Sequence, residues 1–314
     1  MRSRVIHTDN FYDWKNICIV TGITAIYLFL SAYLLGYKSD QVTLAVIFNV
    51  CYYASSLSRK FILGFSIFIV YWIIFDTMKA FPNYNYSAVH LEDFYNFEKS
   101  IFGFHYQGRF VTPNEFFLQY RTNFLTTLTG IFYLCWVPVP LAFAAYLFYK
   151  KREQFLRFAL CFFLVNLLGF VLYYTFPVAP PWYLPIHGFD FHPLTPGNAG
   201  GLRDFDKLYD VTVFKKMYEK SSNVFGAMPS LHSAFPVLLT YYAYRFKIHP
   251  VIVGIFATIM LGIWFAAVYN SHHYITDVIS GIICAILAIF IMNKSLRYSP
   301  FVKKWFNKYL AVIS

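Results

Sequence analysis

The chain has 314 residues, of which 58% are hydrophobic, 22% aromatic and only 13% charged. Soluble domains typically carry about 25% charged residues, so the composition excludes an ordinary soluble protein and indicates a polytopic membrane protein. The net charge of +11 does not indicate a nucleic-acid partner, because the basic residues lie between apolar runs rather than in one stripe. The five cysteines all fall inside apolar segments and show neither a disulfide framework nor metal-ligand spacing.

Eight apolar segments predict membrane-spanning helices, because each is near the ~20 residues that a bilayer requires. They lie at about 17–36, 41–57, 61–80, 122–149, 155–176, 230–246, 250–269 and 273–293. The second segment is the weakest, since it is short and contains Asn49. The first segment has no convincing signal-cleavage site, so we expect it to remain as a membrane helix. The expected fold class is an all-α polytopic membrane protein.

Loop charge predicts the orientation of these helices, because Lys and Arg favour the cytoplasmic side. With the N-terminus inside, the inner segments contain 16 of the 26 basic residues and three of the 15 acidic ones. This gives +13 inside and −2 elsewhere, which together make the net +11. We therefore expect both termini to be cytoplasmic. The long connections 81–121 and 177–229 then lie on the outer face, which is periplasmic, extracellular or lumenal.

The first long connection contains an amphipathic stretch over residues 91–104. Four apolar residues recur there at helical spacing, and the charged residues lie opposite them. The apolar residues are Phe94, Phe97, Ile101 and Phe104, and the charged residues are Glu92, Asp93, Glu98 and Lys99. The pattern predicts a helix in the plane of the membrane interface with its charged face toward water.

Two short motifs carry the histidines of interest. In Val224–Ser233, Gly and Pro precede an apolar run, which places His232 in the first turn of a helix. In Ser271–Asp277, His273 and Asp277 are four residues apart and so share one helical face. A single histidine near a membrane helix is usually a packing residue, but a buried carboxylate beside it is costly unless it is functional. The pattern indicates a phosphoryl-transfer site.

The residue types suggest a role for each group. We expect His273 to attack phosphorus while Asp277 accepts its other ring N–H. His232 then protonates the leaving oxygen and later deprotonates the acceptor hydroxyl. The free N–H groups at the start of the His232 helix, with the Ser230 hydroxyl and the loop around Gly226, are expected to bind the phosphate. The scheme requires no metal and no cofactor, and His272 is expected to be a neighbour rather than a participant.

Pro229-Ser230-Leu231-His232 together with His273-x-x-x-Asp277 resembles the type 2 phosphatidic acid phosphatase superfamily. Several longer strings are similar to the inositol phosphorylceramide synthases of fungi. They are Phe176-Pro-x-x-Pro-Pro-Trp182-Tyr183, Ala199-Gly200, Asp206-Lys207-Leu208, Val224 to Ser233 and His272 to Asp277, with a weaker match at Glu98 to Gly103. The likeness runs over about residues 170–290.

The resemblance implies a six-helix catalytic core over residues 61–294, with residues 1–60 as accessory N-terminal membrane helices and 295–314 as a basic cytoplasmic tail. It also implies transfer of phosphoinositol from phosphatidylinositol to a ceramide through a phosphohistidine, with release of diacylglycerol. The partners would be a phospholipid donor and a lipid alcohol acceptor in the membrane, and a need for a regulatory subunit stays open. Trp182 and Tyr183 are carried over as substrate-binding candidates.

One departure from the superfamily pattern concerns charge. The phosphatases place an Arg six residues before the nucleophilic His, and Ala267 occupies that position here. A phosphate monoester carries nearly two negative charges, whereas a phosphodiester carries one, so fewer cations suit a diester donor. We expect Arg203, with Lys207, to supply the remaining positive charge, although both are equally consistent with solvated loop charges.

Two other functions are compatible with the sequence. A lipid phosphate phosphatase of the same superfamily would use water in place of the alcohol acceptor. A membrane transporter would use the His and Asp residues as a proton relay, but such a protein is expected to have acidic residues near mid-membrane rather than at helix ends. We favour the headgroup transferase.

Overall fold

The structure is a computed structural model that describes residues 13–221 and 223–314. Arg2 and Arg4, which contribute to the predicted inner charge, lie outside the described residues. The described chain is mostly helical, with one short antiparallel hairpin, β1 (Phe104–Tyr106) and β2 (Arg109–Val111), in the first long connection. The predicted all-α class is confirmed.

Fifteen α-helices follow one another along the described chain. They are α1 (Trp14–Leu35), α2 (Ser39–Ala54), α3 (Ser56–Thr77), α4 (Glu92–Phe102), α5 (Pro113–Gln119), α6 (Asn123–Leu134), α7 (Pro138–Lys150), α8 (Arg152–Thr175), α9 (Leu184–His187), α10 (Arg203–Leu208), α11 (Val213–Glu219), α12 (Leu231–Arg245), α13 (Pro250–Tyr269), α14 (Ile275–Tyr298) and α15 (Pro300–Ile313).

Within the described ranges, six helical segments are long and apolar enough to cross a membrane. They are Trp14–Leu35, Ser56–Ala80, Asn123–Lys150, Arg152–Thr175, Pro250–Tyr269 and Ile275–Tyr298, and each coincides with a predicted span. The two remaining predicted spans form shorter helices, α2 with 16 residues and α12 with 15. At about 1.5 Å per residue, each is shorter than the ~30 Å hydrocarbon core.

The span predicted over 122–149 is present as Asn123–Lys150, but its helix breaks between α6 and α7. Pro138 lacks the N–H that would continue the helix, and its ring would collide with the carbonyl of Leu134. The break leaves Trp136 outside regular helix, where its ring reaches His232 at 4.3 Å between centroids. The break between α6 and α7 therefore places Trp136 against His232.

The core lies where α8, α12 and α14 pack against one another, with α3, α7 and α13 around them. In α8, 56% of the most apolar 18-residue stretch is buried inside the protein. In α1 the corresponding share is 11%. The buried aromatic rings of this core include Phe155, Phe158, Phe162, Phe235 and Tyr242. The short helix α12 is thus held in the middle of the bundle by apolar packing on every side.

Both long connections fold over the same end of the bundle. Val178 forms β-bridges with His90 on one side and Gly226 on the other, which joins the two connections. At the opposite end, residues 295–314 form the end of α14 and the amphipathic helix α15. The carbonyls of Ile313 and Ser314 accept hydrogen bonds from Arg152 and Lys60.

The expectation for Glu98 is wrong. The predicted interfacial helix forms as α4, but Glu98 is fully buried instead of facing water. Its carboxylate contacts the first turn of α14, so α4 is attached to the bundle through its charged face as well as through the buried Phe94.

Candidate active site

His232 lies where its motif predicts, in the first turn of α12. Ser230 is the N-cap residue, and its Oγ accepts hydrogen bonds from the Ser233 backbone N–H and hydroxyl. Such caps satisfy one of the four N–H groups that the start of a helix leaves unpaired. His232 is the second residue of the helix, and its ring is part of the cavity described below.

His273 lies in an irregular turn between α13 and α14. The sequence predicts a helix that starts at residue 273, but α14 starts two residues later, at Ile275. The turn is shaped by the Ala267 carbonyl, which accepts from the N–H groups of both His272 and His273. Ala267 itself is fully buried, at the position where the phosphatases carry an Arg. The side chain of Asn114 donates to the carbonyls of Val268 and His273 and fixes the turn from the other side.

The two imidazoles meet across the bundle. His232 Nδ1 and His273 Nε2 are 3.1 Å apart, which is hydrogen-bonding distance. His273 Nδ1 faces the Asp277 carboxylate with 3.6 Å to Oδ2, an ion-pair contact longer than a normal hydrogen bond. Asp277 is fully buried and His273 is 5% exposed. The three predicted catalytic residues therefore lie in one line, carboxylate to imidazole to imidazole.

Close backbone contact between α12 and α14 makes this convergence possible. The Ser230 N–H donates to the Asp277 carbonyl at 2.9 Å. Gly281, one turn further along α14, faces the Ser230 carbonyl so closely that a Cβ there would be 2.1 Å from that oxygen. Only glycine permits this approach, since real Cβ atoms do not come within 3.0 Å of another heavy atom.

Aromatic rings surround the histidines. Trp136 packs edge-on against His232, Tyr133 contacts both His232 and His272, and Tyr218 stacks on His272 at 4.4 Å. The hydroxyls of Tyr133 and Tyr218 are hydrogen-bonded at 2.7 Å. The sequence analysis missed these aromatic residues, because hydropathy does not distinguish an aromatic residue that lines a site from one that faces lipid.

His272 is a structural neighbour of the site. It is 3% exposed and its Nε2 lies 2.8 Å from the Ala199 carbonyl. The pKa of His272 is lowered to about 3, mainly by burial and also by the adjacent His273 and Arg121, while the hydrogen bond with Ala199 opposes this shift. His272 is therefore neutral at physiological pH and donates to that carbonyl, and its role as a neighbour rather than a participant stays a prediction.

A cavity of about 80 Å³ opens onto His232 and His273. Its described lining is mostly neutral and consists of Pro180, Trp182, Gly197, Asn198, Tyr218, Ser221, Asn223, Val224, Gly226, Ala227, His232, His272 and His273. Trp182 and Gly226 line this cavity, and substrate binding by either residue stays a prediction. Ser230 caps α12 outside this lining, and the buried Tyr183 bonds through its hydroxyl to Asp190 and His192 within the loop. Asn223 Nδ2 is buried without a hydrogen-bond partner among the described residues.

Arg203 and Lys207 line a second, more open cavity of about 450 Å³. The two cavities share Gly197, so they are neighbours. The second cavity also contains Asp206, Asp210, Lys215 and Glu219. Phosphate binding by Arg203 and Lys207 stays a prediction, with both residues beside the histidine cavity rather than in it.

Fold and site together define an integral membrane protein in which a half-buried histidine, His232, contacts a buried one, His273, at one end of the helices. The sequence model of the PAP2 superfamily matches residues 105–291, and the chain belongs to this superfamily. Phosphoinositol dihydroceramide synthase of Bacteroides thetaiotaomicron is 40% identical over 300 residues, which cover 95% of this chain and 98% of that protein.

Fungal relatives match a shorter part of the chain. Inositol phosphorylceramide synthase of Candida albicans is 34% identical over 57% of this chain and 40% of its own length. The catalytic subunit of the Saccharomyces cerevisiae enzyme is 33% identical over 37% of this chain and 29% of its own length. No solved structure matches the chain. The resemblance drawn from the motifs is confirmed.

Proposed function

We propose that this protein is an enzyme that transfers phosphoinositol from phosphatidylinositol to a ceramide-type lipid alcohol and releases diacylglycerol. The observation that carries the proposal is the 3.1 Å contact between His232 and His273, with Asp277 behind His273. The name and the near full-length match of the Bacteroides relative support the donor and acceptor classes.

The geometry indicates which ring nitrogen of His273 attacks phosphorus. His273 Nδ1 faces Asp277, so Nε2 is the nitrogen that attacks phosphorus. The bond from phosphorus to the diacylglycerol oxygen breaks, and His232 delivers a proton to that oxygen. In the second half, His232 takes the proton of the acceptor hydroxyl, which attacks phosphorus and breaks the bond to His273. Substrate binding replaces the direct contact between the two rings.

The described lining of the histidine cavity contains neither Lys nor Arg, which favours a phosphodiester donor over a phosphate monoester. A diester carries one negative charge and needs fewer cations than a monoester. The Nδ2 of Asn223, which has no partner in the part of the chain that the structure describes, offers a neutral donor to a phosphate oxygen, and the N-terminus of α12 adds backbone N–H groups. Arg203 and Lys207, in the adjacent cavity, would contact the headgroup from outside.

We further propose that the site faces the periplasm, cell exterior or organelle lumen, with both termini in the cytoplasm. The distribution of basic loop residues supports this orientation. Lys60 and Arg152 contact Ser314 and Ile313 at the end of the bundle opposite the histidines, so these basic residues of two predicted inner segments lie at the same end as α15.

The function is tested with purified protein and phosphatidylinositol labelled in the inositol ring, with and without ceramide. We expect a labelled lipid product only when ceramide is present, and no product from His232→Ala or His273→Ala. His192→Ala, a change in an exposed loop histidine, serves as the matched control and should react normally. Release of inorganic phosphate from phosphatidic acid, with no transfer to ceramide, would identify a phosphatase instead.

A further inference from the structure

Glu98 is a carboxylate that the mechanism above does not use, yet it is fully buried. Burying a charged group costs several kcal/mol unless hydrogen bonds satisfy it. Its oxygens accept from the Ile275 N–H at 2.9 Å, the Thr276 N–H at 3.1 Å and the Thr276 hydroxyl at 2.5 Å. Every one of these donors belongs to the first turn of α14.

The start of a helix leaves N–H groups without partners and carries a partial positive charge. In α14 the Tyr274 N–H is satisfied by Asp277 Oδ2 at 2.8 Å, and the next two N–H groups are satisfied by Glu98. The carboxylates of Asp277 and Glu98 therefore each accept hydrogen bonds from some of the N–H groups at the start of α14. Burial raises the pKa of the Glu98 carboxyl above its ordinary value, and the hydrogen bonds from Thr276 and Ile275 oppose that rise.

We propose that Glu98 is a positioning residue for the reaction, which holds the start of α14 so that Asp277 Oδ2, the oxygen that accepts from the Tyr274 N–H, also stays close to His273 Nδ1. Without Glu98, the N–H groups of Ile275 and Thr276 have no acceptor, and Asp277 is the nearest carboxylate in the same turn. Asp277 would then turn toward its own helix end and away from the histidine. The expected effect of Glu98 on turnover rests on the proposed function. The contact of Glu98 with the start of α14 does not depend on that function.

The contact is tested by hydrogen exchange of the backbone amides in detergent-solubilised protein, which requires no substrate. We expect Glu98→Gln to accelerate exchange in the peptide that contains Ile275 and Thr276. Glu92→Gln changes the same residue type at an exposed position of α4 and should leave this exchange unchanged. Unchanged exchange in Glu98→Gln would overturn the proposal, whatever the wild-type protein catalyses.

The consequence for catalysis is tested by phosphoinositol transfer at saturating and limiting donor. Displacement of a reacting group by about 1 Å can cost roughly a hundredfold in rate, so we expect Glu98→Gln to lower kcat by about tenfold to a hundredfold. KM should change by less than about threefold, because Glu98 is not at the cavity. A merely structural role would instead reduce the folded yield, with normal kcat per folded molecule, and that result would overturn the proposal.

A second pair of variants keeps the test decisive if Glu98→Gln does not fold. Thr276→Val removes the hydroxyl and retains the shape of the side chain, whereas Thr276→Ser retains the hydroxyl. We expect a lower kcat in Thr276→Val and near wild-type kcat in Thr276→Ser. Equal turnover in both variants would contradict the proposal. An inactive wild-type protein would refute the proposed function, while the exchange measurement would still decide whether Glu98 holds α14.

Discussion

Asn223 brings into the histidine cavity an amide nitrogen that has no hydrogen-bond partner among the described residues. A buried donor without a partner costs about 1–3 kcal/mol, so its presence beside two histidines suggests that a ligand completes it. A phosphate oxygen suits this position, because it accepts hydrogen bonds and is the reacting group in the proposed mechanism. The residue is neutral, which matches the single charge of a phosphodiester.

Replacement of Asn223 should therefore weaken use of the donor lipid. We expect Asn223→Ala to reduce kcat/KM for phosphatidylinositol by about tenfold, as is typical of losing one hydrogen bond to a charged group. Asn223→Asp should be worse, because a carboxylate would repel the phosphate. The measurement is steady-state transfer at varied donor concentration. An Asp variant as active as wild type would exclude Asn223 from phosphate binding.

His272 makes a separate prediction about stability and pH. Its pKa is about 3 in the folded protein and about 6.5 in an unfolded chain, so the unfolded state binds more protons between these values. Stability should be complete above pH 6.5 and decrease as the pH falls toward 3, by at most about 1.4 kcal/mol per pH unit from this group.

This dependence is measured as the melting temperature of the solubilised protein from pH 7.5 to pH 5. We expect His272→Asn, which cannot take up a proton but retains a donor for the Ala199 carbonyl, to lose less stability on acidification than wild type. His192→Asn, at an exposed position, should follow the wild-type curve. Identical curves for wild type and His272→Asn would show that His272 does not titrate on unfolding.

At the scale of elements, the site depends on how closely α12 and α14 approach. We expect Gly281→Ala to push the Ser230 carbonyl and the His232 turn away from Asp277 and His273, and to lower transfer activity by more than tenfold. Gly254 in α13 is the control, because a Cβ there has nothing within 4 Å. The measurement compares the transfer rates of Gly281→Ala and Gly254→Ala, each normalised to the amount of folded protein. Equal rates would contradict this account.

The sequence predicts those parts of the site that short motifs encode. His232, His273 and Asp277 lie within ten residues of a Pro or a turn that sets their helix end, so local chemistry suffices to place them. Trp136 and Glu98 are different, because their roles depend on partners far along the chain. A pattern of charges on a helix predicts exposure, and it fails for Glu98 because the partner is the end of α14, which no local pattern reveals.

The same distinction applies to the spans. Hydropathy locates all eight apolar segments and gives the short α12 to within one residue at each end, but it does not reveal that Pro138 divides one span into α6 and α7. The length of a helix inside the bundle is set by where the loops enter it. For α12 that point is the capped turn at Ser230, which is fixed by tertiary contacts with α14.

At the scale of the whole molecule, the two ends of the bundle should face different compartments. We expect Leu194→Cys, at a highly exposed position in the second connection, to react with a membrane-impermeant maleimide in intact cells. Lys303→Cys, at an exposed position in α15, should react only after permeabilisation. The background is a variant without the five native cysteines. The reverse labelling pattern would invert the proposed orientation.

The central claim is that His273 forms a covalent bond to the phosphorus of the donor. The most direct measurement is mass spectrometry of peptides from protein mixed briefly with phosphatidylinositol in the absence of ceramide. The account predicts one phosphoinositol group on the peptide that contains His273, lost when ceramide is added and absent in His273→Ala. Continued transfer to ceramide by His273→Ala, or the adduct on another residue, would contradict it.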